Sequence, residues 1–163
     1  MKHIALFPGS FDPFTKGHED IVRRGSRFFD EIIVGIGHNS QKQRYFPLDL
    51  MIACIQDTFK DTDNVRVEAY QGLTAVFAEK VGANFLLRGL RNTTDYEYEN
   101  TIAQINYHQV RSLETVFLIT SPKFAYISST IVRDIYRYDS DVSKYLPYDL
   151  EAIRASLEKP NIA

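Results

Sequence analysis

Cysteine occurs once, at Cys54, so no intrachain disulfide can staple the fold. Cys54 sits in the apolar run Met51-Ile52-Ala53-Cys54-Ile55 and reads as a small buried hydrophobe rather than a nucleophile or ligand. No apolar stretch approaches the ~18 residues that cross a bilayer. No long apolar segment precedes a cleavage site near the amino terminus. These absences point to the cytoplasm. A charge excess is missing too, since 19 Lys and Arg stand against 21 Asp and Glu, for a net charge of -2. No global field therefore draws in nucleic acid or a membrane surface, although a local basic cleft for a small anion remains allowed. The 10 Tyr and 11 Phe are spread through the chain and form no basic-aromatic tract suited to stacking on bases. Neither a Gly-x-Gly-x-x-Gly fingerprint nor a Gly-x-x-x-x-Gly-Lys-Ser/Thr loop occurs. No repeat or linker breaks the chain, so residues 1–163 read as one domain with a C-terminal helical segment.

What is present alternates. Short apolar runs at His3–Phe7, at Ile32–Val34 within Glu31–Ile36, at Val65–Tyr70, at Phe85–Leu87 and at Glu114–Thr120, centred on Val116–Ile119, read as strands. Between them lie amphipathic helices. The first starts near Gly17 or His18 and ends near Asp30. The second follows Pro47, placed where a first helical turn tolerates proline. The third runs from Leu73 to Val81, with Ala75, Val76, Ala78 and Val81 towards the core and Gly82 as a left-handed cap. The fourth runs from Thr94 or Asp95 to about His108, one more opens at Ser128-Ser129-Thr130, and a last follows Pro147. Continuous apolar strands separated by amphipathic helices predict an α/β fold, an open, doubly wound five-stranded parallel sheet. The chain is too short for an eight-stranded barrel, and an antiparallel α+β arrangement is the alternative.

Such sheets bind ligands beyond the carboxyl ends of their strands. The loop after strand one holds Gly9, Ser10, Gly17 and His18. Glycine lets backbone approach a ligand, and the helix start offers unpaired N–H groups to an anion. His18 in that first turn can meet a phosphate oxygen as a neutral Nε2–H or as an imidazolium. Taken alone, the loop is as readily a pair of glycine turns and a capping histidine. Lys42 lies beyond strand two, and Arg88 and Arg91 beyond strand four. If a turn intervenes, both guanidinium groups can enter one cleft, where their rigid forks suit phosphate. Taken alone they are an exposed charged loop. Ser128-Ser129-Thr130 can cap a helix, present N–H groups to phosphate, or do both.

The combination narrows these choices. Thr15-Lys16-Gly17-His18 resembles the T/H-x-G-H signature of the nucleotidylyltransferase superfamily, and Ile127-Ser128-Ser129-Thr130-x-x-Arg133 resembles its second signature, I-S-S-T/S-x-x-R/K. Pro8-Gly9-Ser10-Phe11-Asp12-Pro13, Arg88-Gly89-Leu90-Arg91 and Asp95-Tyr96-Glu97-Tyr98-Glu99 make the chain look like the bacterial phosphopantetheine adenylyltransferases over nearly its whole length. The resemblance implies a Rossmann-like sheet. It also implies reversible transfer of an adenylyl group from ATP to 4′-phosphopantetheine, giving dephospho-CoA and pyrophosphate in coenzyme A biosynthesis. His18 then binds ATP phosphates and stabilises the transition state, with Lys42 as a second catalytic contact. Ser10, Lys42, Thr74 (through its backbone) and Arg88 bind the acceptor. Ser10, Phe11, His18, Gly89, Leu90, Arg91, Glu99 and the run Phe124, Ala125, Tyr126, Ile127, Ser128, Ser129 and Thr130 bind ATP.

Magnesium is implied as an ion carried with ATP, since no compact Asp/His/Cys cluster predicts a protein-borne metal site. A homohexamer and feedback binding of CoA are implied as well. Three departures touch local geometry. Ser10 stands where the family usually has threonine, Asn92-Thr93-Thr94 is more polar than usual, and Pro47 replaces a common hydroxyl cap. An adenylyltransferase for another phosphorylated acceptor, and a non-catalytic ATP sensor, remain as alternatives.

Overall fold

The computed structural model describes residues 2–39, 41 and 43–158. Five strands form one parallel sheet: β1 (Ile4–Gly9), β2 (Glu31–Gly37), β3 (Val65–Tyr70), β4 (Phe85–Leu90) and β5 (Glu114–Ile119), in the order β3-β2-β1-β4-β5. Every neighbouring pair is parallel. Helices α1 (Lys16–Gly25), α2 (Leu48–Thr58), α3 (Thr74–Lys80), α4 (Thr93–Gln109), α5 (Ser129–Arg137) and α6 (Leu150–Glu158) complete the chain. The doubly wound parallel architecture is the one the apolar pattern predicts.

Both sheet faces are covered, and the strands show why. Ala5 and Phe7 of β1 face a core shared with Ile21, Val22, Met51, Cys54, Ile55 and Val132, from α1, α2 and α5. Leu6, between them, faces the opposite core with Ala75, Phe77 and Ala78 of α3. Successive residues of a strand point to opposite faces, so a strand covered twice must be apolar throughout. Cys54 is fully buried, and burial pushes its thiol up to about 12, which fits a packing role.

Three local expectations need adjusting. Helix α1 ends at Gly25 rather than Asp30, because the chain turns over Ser26 to Phe28 before β2. Val76 is 54% exposed, and Phe77 takes its place in the core, stacked on Tyr70 at 4.3 Å. Strand β4 runs on to Leu90, so Arg88 and Gly89 lie within it rather than after it. Gly82 does adopt a left-handed conformation (φ +73°) just beyond α3.

The sheet order reverses direction between β1 and β4. Strand β1 pairs with β2 along its full length, from Ile4↔Glu31 to Gly9↔Ile36. With β4 it pairs only at Ala5↔Phe85 and Leu6↔Leu86. Beyond those residues the two strands part and open a crevice at the topological switch point, where doubly wound sheets receive ligands.

Candidate active site

The crevice is lined from both sides. A cavity of about 350 Å³ is bordered by Ser10, Phe11 and His18 of the first loop and helix, by Arg88, Gly89, Arg91 and Glu99 of the β4–α4 region, and by Phe124, Ile127, Ser128, Ser129 and Thr130 before and within α5. A neighbouring cavity of about 250 Å³ is bordered by Gly37, Tyr70, Thr74, Tyr98, Ile102 and Asn106. Pro8, Gly9, Ser10, Arg88 and Glu99 border both. Two ligands lodged side by side would therefore meet at Ser10 and Arg88.

His18 is held by its own helix. The Thr15 backbone N–H donates to His18 Nδ1 at 3.0 Å, and the Thr15 hydroxyl lies 3.1 Å from the same nitrogen. An Nδ1 that accepts a backbone N–H carries no proton, so the remaining hydrogen is on Nε2. Phe7, Phe11 and Phe14 surround the imidazole, with ring centroids 6.2, 5.1 and 5.3 Å away. Burial among them, with Arg88 and Arg91 nearby, pushes the imidazole down to about 3. Of the two forms that can meet a phosphate, the site selects the neutral Nε2–H donor.

The first loop is a rigid wall. Phe11 sits at φ 43°, which a non-glycine residue adopts only when its surroundings impose it. A Cβ on Gly9 would lie 2.6 Å from the Phe11 ring, so only glycine allows that ring to fold back over β1. Asp12 accepts from the backbone N–H groups of Tyr45 and Phe46 at 2.9 and 2.8 Å. The Asp12 carbonyl accepts from Arg133 of the second signature, whose other nitrogen donates to the Thr130 hydroxyl at 3.2 Å. Ser129 Oγ donates to the Pro13 carbonyl at 2.8 Å. The second signature is thus hydrogen-bonded to the loop that leads into the first, more than a hundred residues away in the chain. Ser128 caps α5 by accepting the Ile131 N–H at 3.2 Å. Ser129 and Thr130, the first residues of the helix, border the cavity, and N–H groups at a helix start have no intrahelical partner.

On the other wall the charges are paired. Arg88 donates through Nε to Glu99 Oε2 at 2.7 Å, through Nη2 to Glu99 Oε1, and through Nη1 to the Pro8 carbonyl across the gap between β1 and β4. Arg91 forks onto Asp95 at 2.9 and 3.1 Å. This pairing holds the Asp95 carboxyl below the usual carboxylate range. Asn92 Oδ1 accepts the Asp95 N–H at 2.8 Å and caps α4, which gives a use to one of the unusual polar residues there.

Most of the site residues read from the sequence come together here. Thr74 lies on the smaller cavity, its hydroxyl 2.8 Å from Tyr70 Oη. Leu90, Ala125 and Tyr126 border neither cavity, and Tyr126 is 65% exposed. Lys42 lies outside the described residues. Sequence reading did not single out Thr15 as the orienter of His18, Asp12 as the anchor of the first loop, or Asp95 as the partner of Arg91. The Arg91–Asp95 spacing of four at a helix start was the available signal for the last. For Thr15 the signal was a hydroxyl residue just before α1 that opens the first signature, whereas spacing offered none for Asp12, whose partners are the distant backbone N–H groups of Tyr45 and Phe46.

The chain belongs to a family shown by its sequence relatives. Residues 6–135 match the family model described as cytidylyltransferase-like. A phosphopantetheine adenylyltransferase of Cytophaga hutchinsonii is 61% identical over 92% of this chain and 100% of its own length. Those of Flavobacterium psychrophilum and Bacteroides fragilis are 47% and 44% identical over 92% and 90% of this chain, and over 97% of each relative. Among solved structures, a protein of Vibrio parahaemolyticus assigned as a nicotinate-nucleotide adenylyltransferase superposes with a TM-score of 0.71 at 17% identity, covering 96% of this chain and 93% of its own. A bifunctional NMN adenylyltransferase/ADP ribose pyrophosphatase of Francisella tularensis, complexed with AMP and a manganese ion, superposes with a TM-score of 0.69 at 14% identity over 98% of this chain and 50% of its own. At those identities the structures speak for the fold.

Proposed function

From its membership of the cytidylyltransferase-like family and, within it, of the phosphopantetheine adenylyltransferases, we propose that the chain, acting as one catalytic domain over residues 1–163, transfers the adenylyl group of ATP to 4′-phosphopantetheine. The observation that carries the reading is the pair of cavities meeting at Ser10 and Arg88, one beside a neutral His18 and a helix start, the other running along Thr74. An oxygen of the acceptor phosphate attacks the α-phosphorus of ATP. The bond from that phosphorus to the α,β-bridging oxygen breaks, and pyrophosphate leaves with its electron pair. The attacking oxygen is already anionic, so no general base is needed, and orientation with electrostatic stabilisation supplies the catalysis.

Arg88, Ser10, Thr74 and Lys42 are assigned to the acceptor. His18 Nε2–H, with Lys42, stabilises the charge that develops on the transferring phosphoryl group. Arg91 and the helix start at Ser129 and Thr130 hold the triphosphate. Phe11, Gly89, Leu90, Glu99 and the run from Phe124 to Ser128 form the rest of the nucleotide site. Among the described residues no three His, Cys, Asp or Glu side chains gather to hold an ion. That donor set fits magnesium bound through ATP phosphates and water rather than a protein cage, where it would neutralise the charge of the triphosphate and leaving pyrophosphate.

A homohexamer is part of the proposal. Edge strand β5 leaves Ile119 74% exposed, and α4 exposes Tyr96, Tyr98, Ile105 and Tyr107 beside it, an apolar surface suited to a second copy. Sedimentation in solution checks it, with a monomer as the contrary result. Feedback binding of CoA at the same cavities and a cytoplasmic location complete the reading. No helix among the described residues is long and apolar enough to cross a membrane.

The deciding experiment supplies ATP, magnesium and 4′-phosphopantetheine and identifies the product by mass spectrometry. Dephospho-CoA with equimolar pyrophosphate is expected. Adenylylation of a different phosphorylated acceptor in parallel assays would replace the acceptor. ATP binding with no acceptor-dependent pyrophosphate release would make the protein a sensor.

A further inference from the structure

The rings around His18 are tied to the chain between α5 and α6. From that segment the buried Tyr148 phenol donates to the Phe14 carbonyl at 2.8 Å. Met51 Sδ, at 3.6 Å, is its more distant acceptor. Burial, with Cys54 and Asp12 nearby, pushes this phenol well above its ordinary range, so it remains a donor at neutral pH. From the same segment the Lys144 carbonyl accepts from Lys16 Nζ at 2.9 Å. Phe14 is fully buried, and its own N–H goes to Met51 Sδ at 3.4 Å. The Phe14 carbonyl belongs to the peptide group whose N–H, on Thr15, donates to His18 Nδ1 at 3.0 Å. A peptide group is planar, so a partner that fixes its carbonyl fixes its N–H as well.

We propose that Tyr148 is a positioning residue for His18, acting through the Phe14–Thr15 peptide group. The inference rests on the catalytic role given to His18 above. Two donations run in one direction, from Tyr148 Oη–H to the Phe14 carbonyl and from the Thr15 N–H to His18 Nδ1. With ATP in the cavity, His18 Nε2–H adds a third, to a phosphate oxygen. A carbonyl that accepts makes the N–H of its own peptide a stronger donor. An imidazole that accepts at Nδ1 donates more strongly from Nε2, so each bond reinforces the next. The pinned peptide also selects the tautomer. The Thr15 hydroxyl, 3.1 Å from Nδ1, can turn to donate or to accept, whereas the N–H can only donate. Tyr148 borders neither cavity of the site, so its effect reaches the chemistry through His18.

Steady-state kinetics with ATP and 4′-phosphopantetheine, read beside nitrogen NMR of His18, test this. Tyr148→Phe removes the hydroxyl and keeps the ring. Its kcat should fall by about threefold to tenfold while both KM values stay within about twofold. The His18 Nδ1 resonance should move towards that of an imidazole nitrogen that accepts no hydrogen bond. Site-specific 3-fluorotyrosine in place of Tyr148, a more acidic phenol and so a stronger donor, should move the same resonance the opposite way. A brace that merely stiffened the loop would not give shifts of opposite sign. Unchanged turnover in Tyr148→Phe, shown by thermal melts to be folded, would overturn the proposal. So would an Nδ1 resonance that moves the same way, or not at all, in both proteins. If Tyr148→Phe does not fold, the fluorinated protein decides alone, by the direction in which that resonance moves. A wild-type protein without acceptor-dependent turnover would remove the reading of function, while the resonance would still decide whether Tyr148 sets His18.

Discussion

The two walls of the crevice are built on different principles. On the β1–α1 side the proposed catalytic group is neutral and locked by packing. His18 is boxed by Phe7, Phe11 and Phe14, and Thr15 fixes its tautomer. On the β4–α4 side the proposed binding groups are charged and held by ion pairs from a half-exposed helix, Arg88 by Glu99 and Arg91 by Asp95. A donor that must be aimed at a developing charge gains from rigidity, because no reorganisation is then needed during reaction. Groups that must capture an incoming anion gain from exchangeable partners, which keep the free site from burying unpaired charge.

Substitutions can break that contrast. The largest effect should come from the packed wall: Phe14→Ala, at a fully buried ring touching both Phe11 and His18, should cost about 3–5 kcal/mol in urea unfolding. Next, His18→Ala should leave the fold intact yet raise the activation barrier by about 2.7–4 kcal/mol, read as pyrophosphate release. Near-normal turnover by that variant would take His18 out of the chemistry. Thr15→Ala keeps the backbone N–H but removes the hydroxyl at a helix start, so thermal melts should show a loss of about 1 kcal/mol. On the opposite wall Asp95→Asn should change stability by no more than about 1 kcal/mol, since its ion pair is partly exposed, while raising the KM for ATP. A loss as large as that of Phe14→Ala would erase the distinction between the walls.

The gentlest probe is pH. His18 keeps a folded pKa of about 3, well below the ~6.5 of a solvated imidazole, so the unfolded chain binds the extra proton between those values. Its contribution to stability is complete above pH ~6.5 and is lost as the pH falls towards 3. Nitrogen NMR of the folded protein should show a neutral, Nε2-protonated ring with no titration from pH ~8 down to ~5. Titration of that ring near 6.5 would mean that the aromatic box is open to water.

Much of this was present in the order of residues. Apolar runs such as Ile32-Ile33-Val34 can be buried on both faces only in a covered parallel sheet, so strand and helix order follow from local pattern. The two signatures likewise marked His18 and the Ser128–Thr130 helix start before any contact was known. Finer features did not follow. Val76 and Phe77 are adjacent and both apolar, and which one is buried depends on where α3 meets the sheet. Arg88 and Glu99 are eleven residues apart on different elements, a separation for which no spacing rule exists.

Sequence alone determined the parallel α/β class, the positions of the two family signatures and the burial of Cys54, because each depends on near neighbours in the chain or on residue identity. Tertiary structure decided that β1 and β4 part after Leu6↔Leu86, that His18 is a neutral Nε2–H donor and that Arg88 is countered by Glu99. Those features arise from the surroundings of backbone and charged groups, which exist only once distant segments have been brought together.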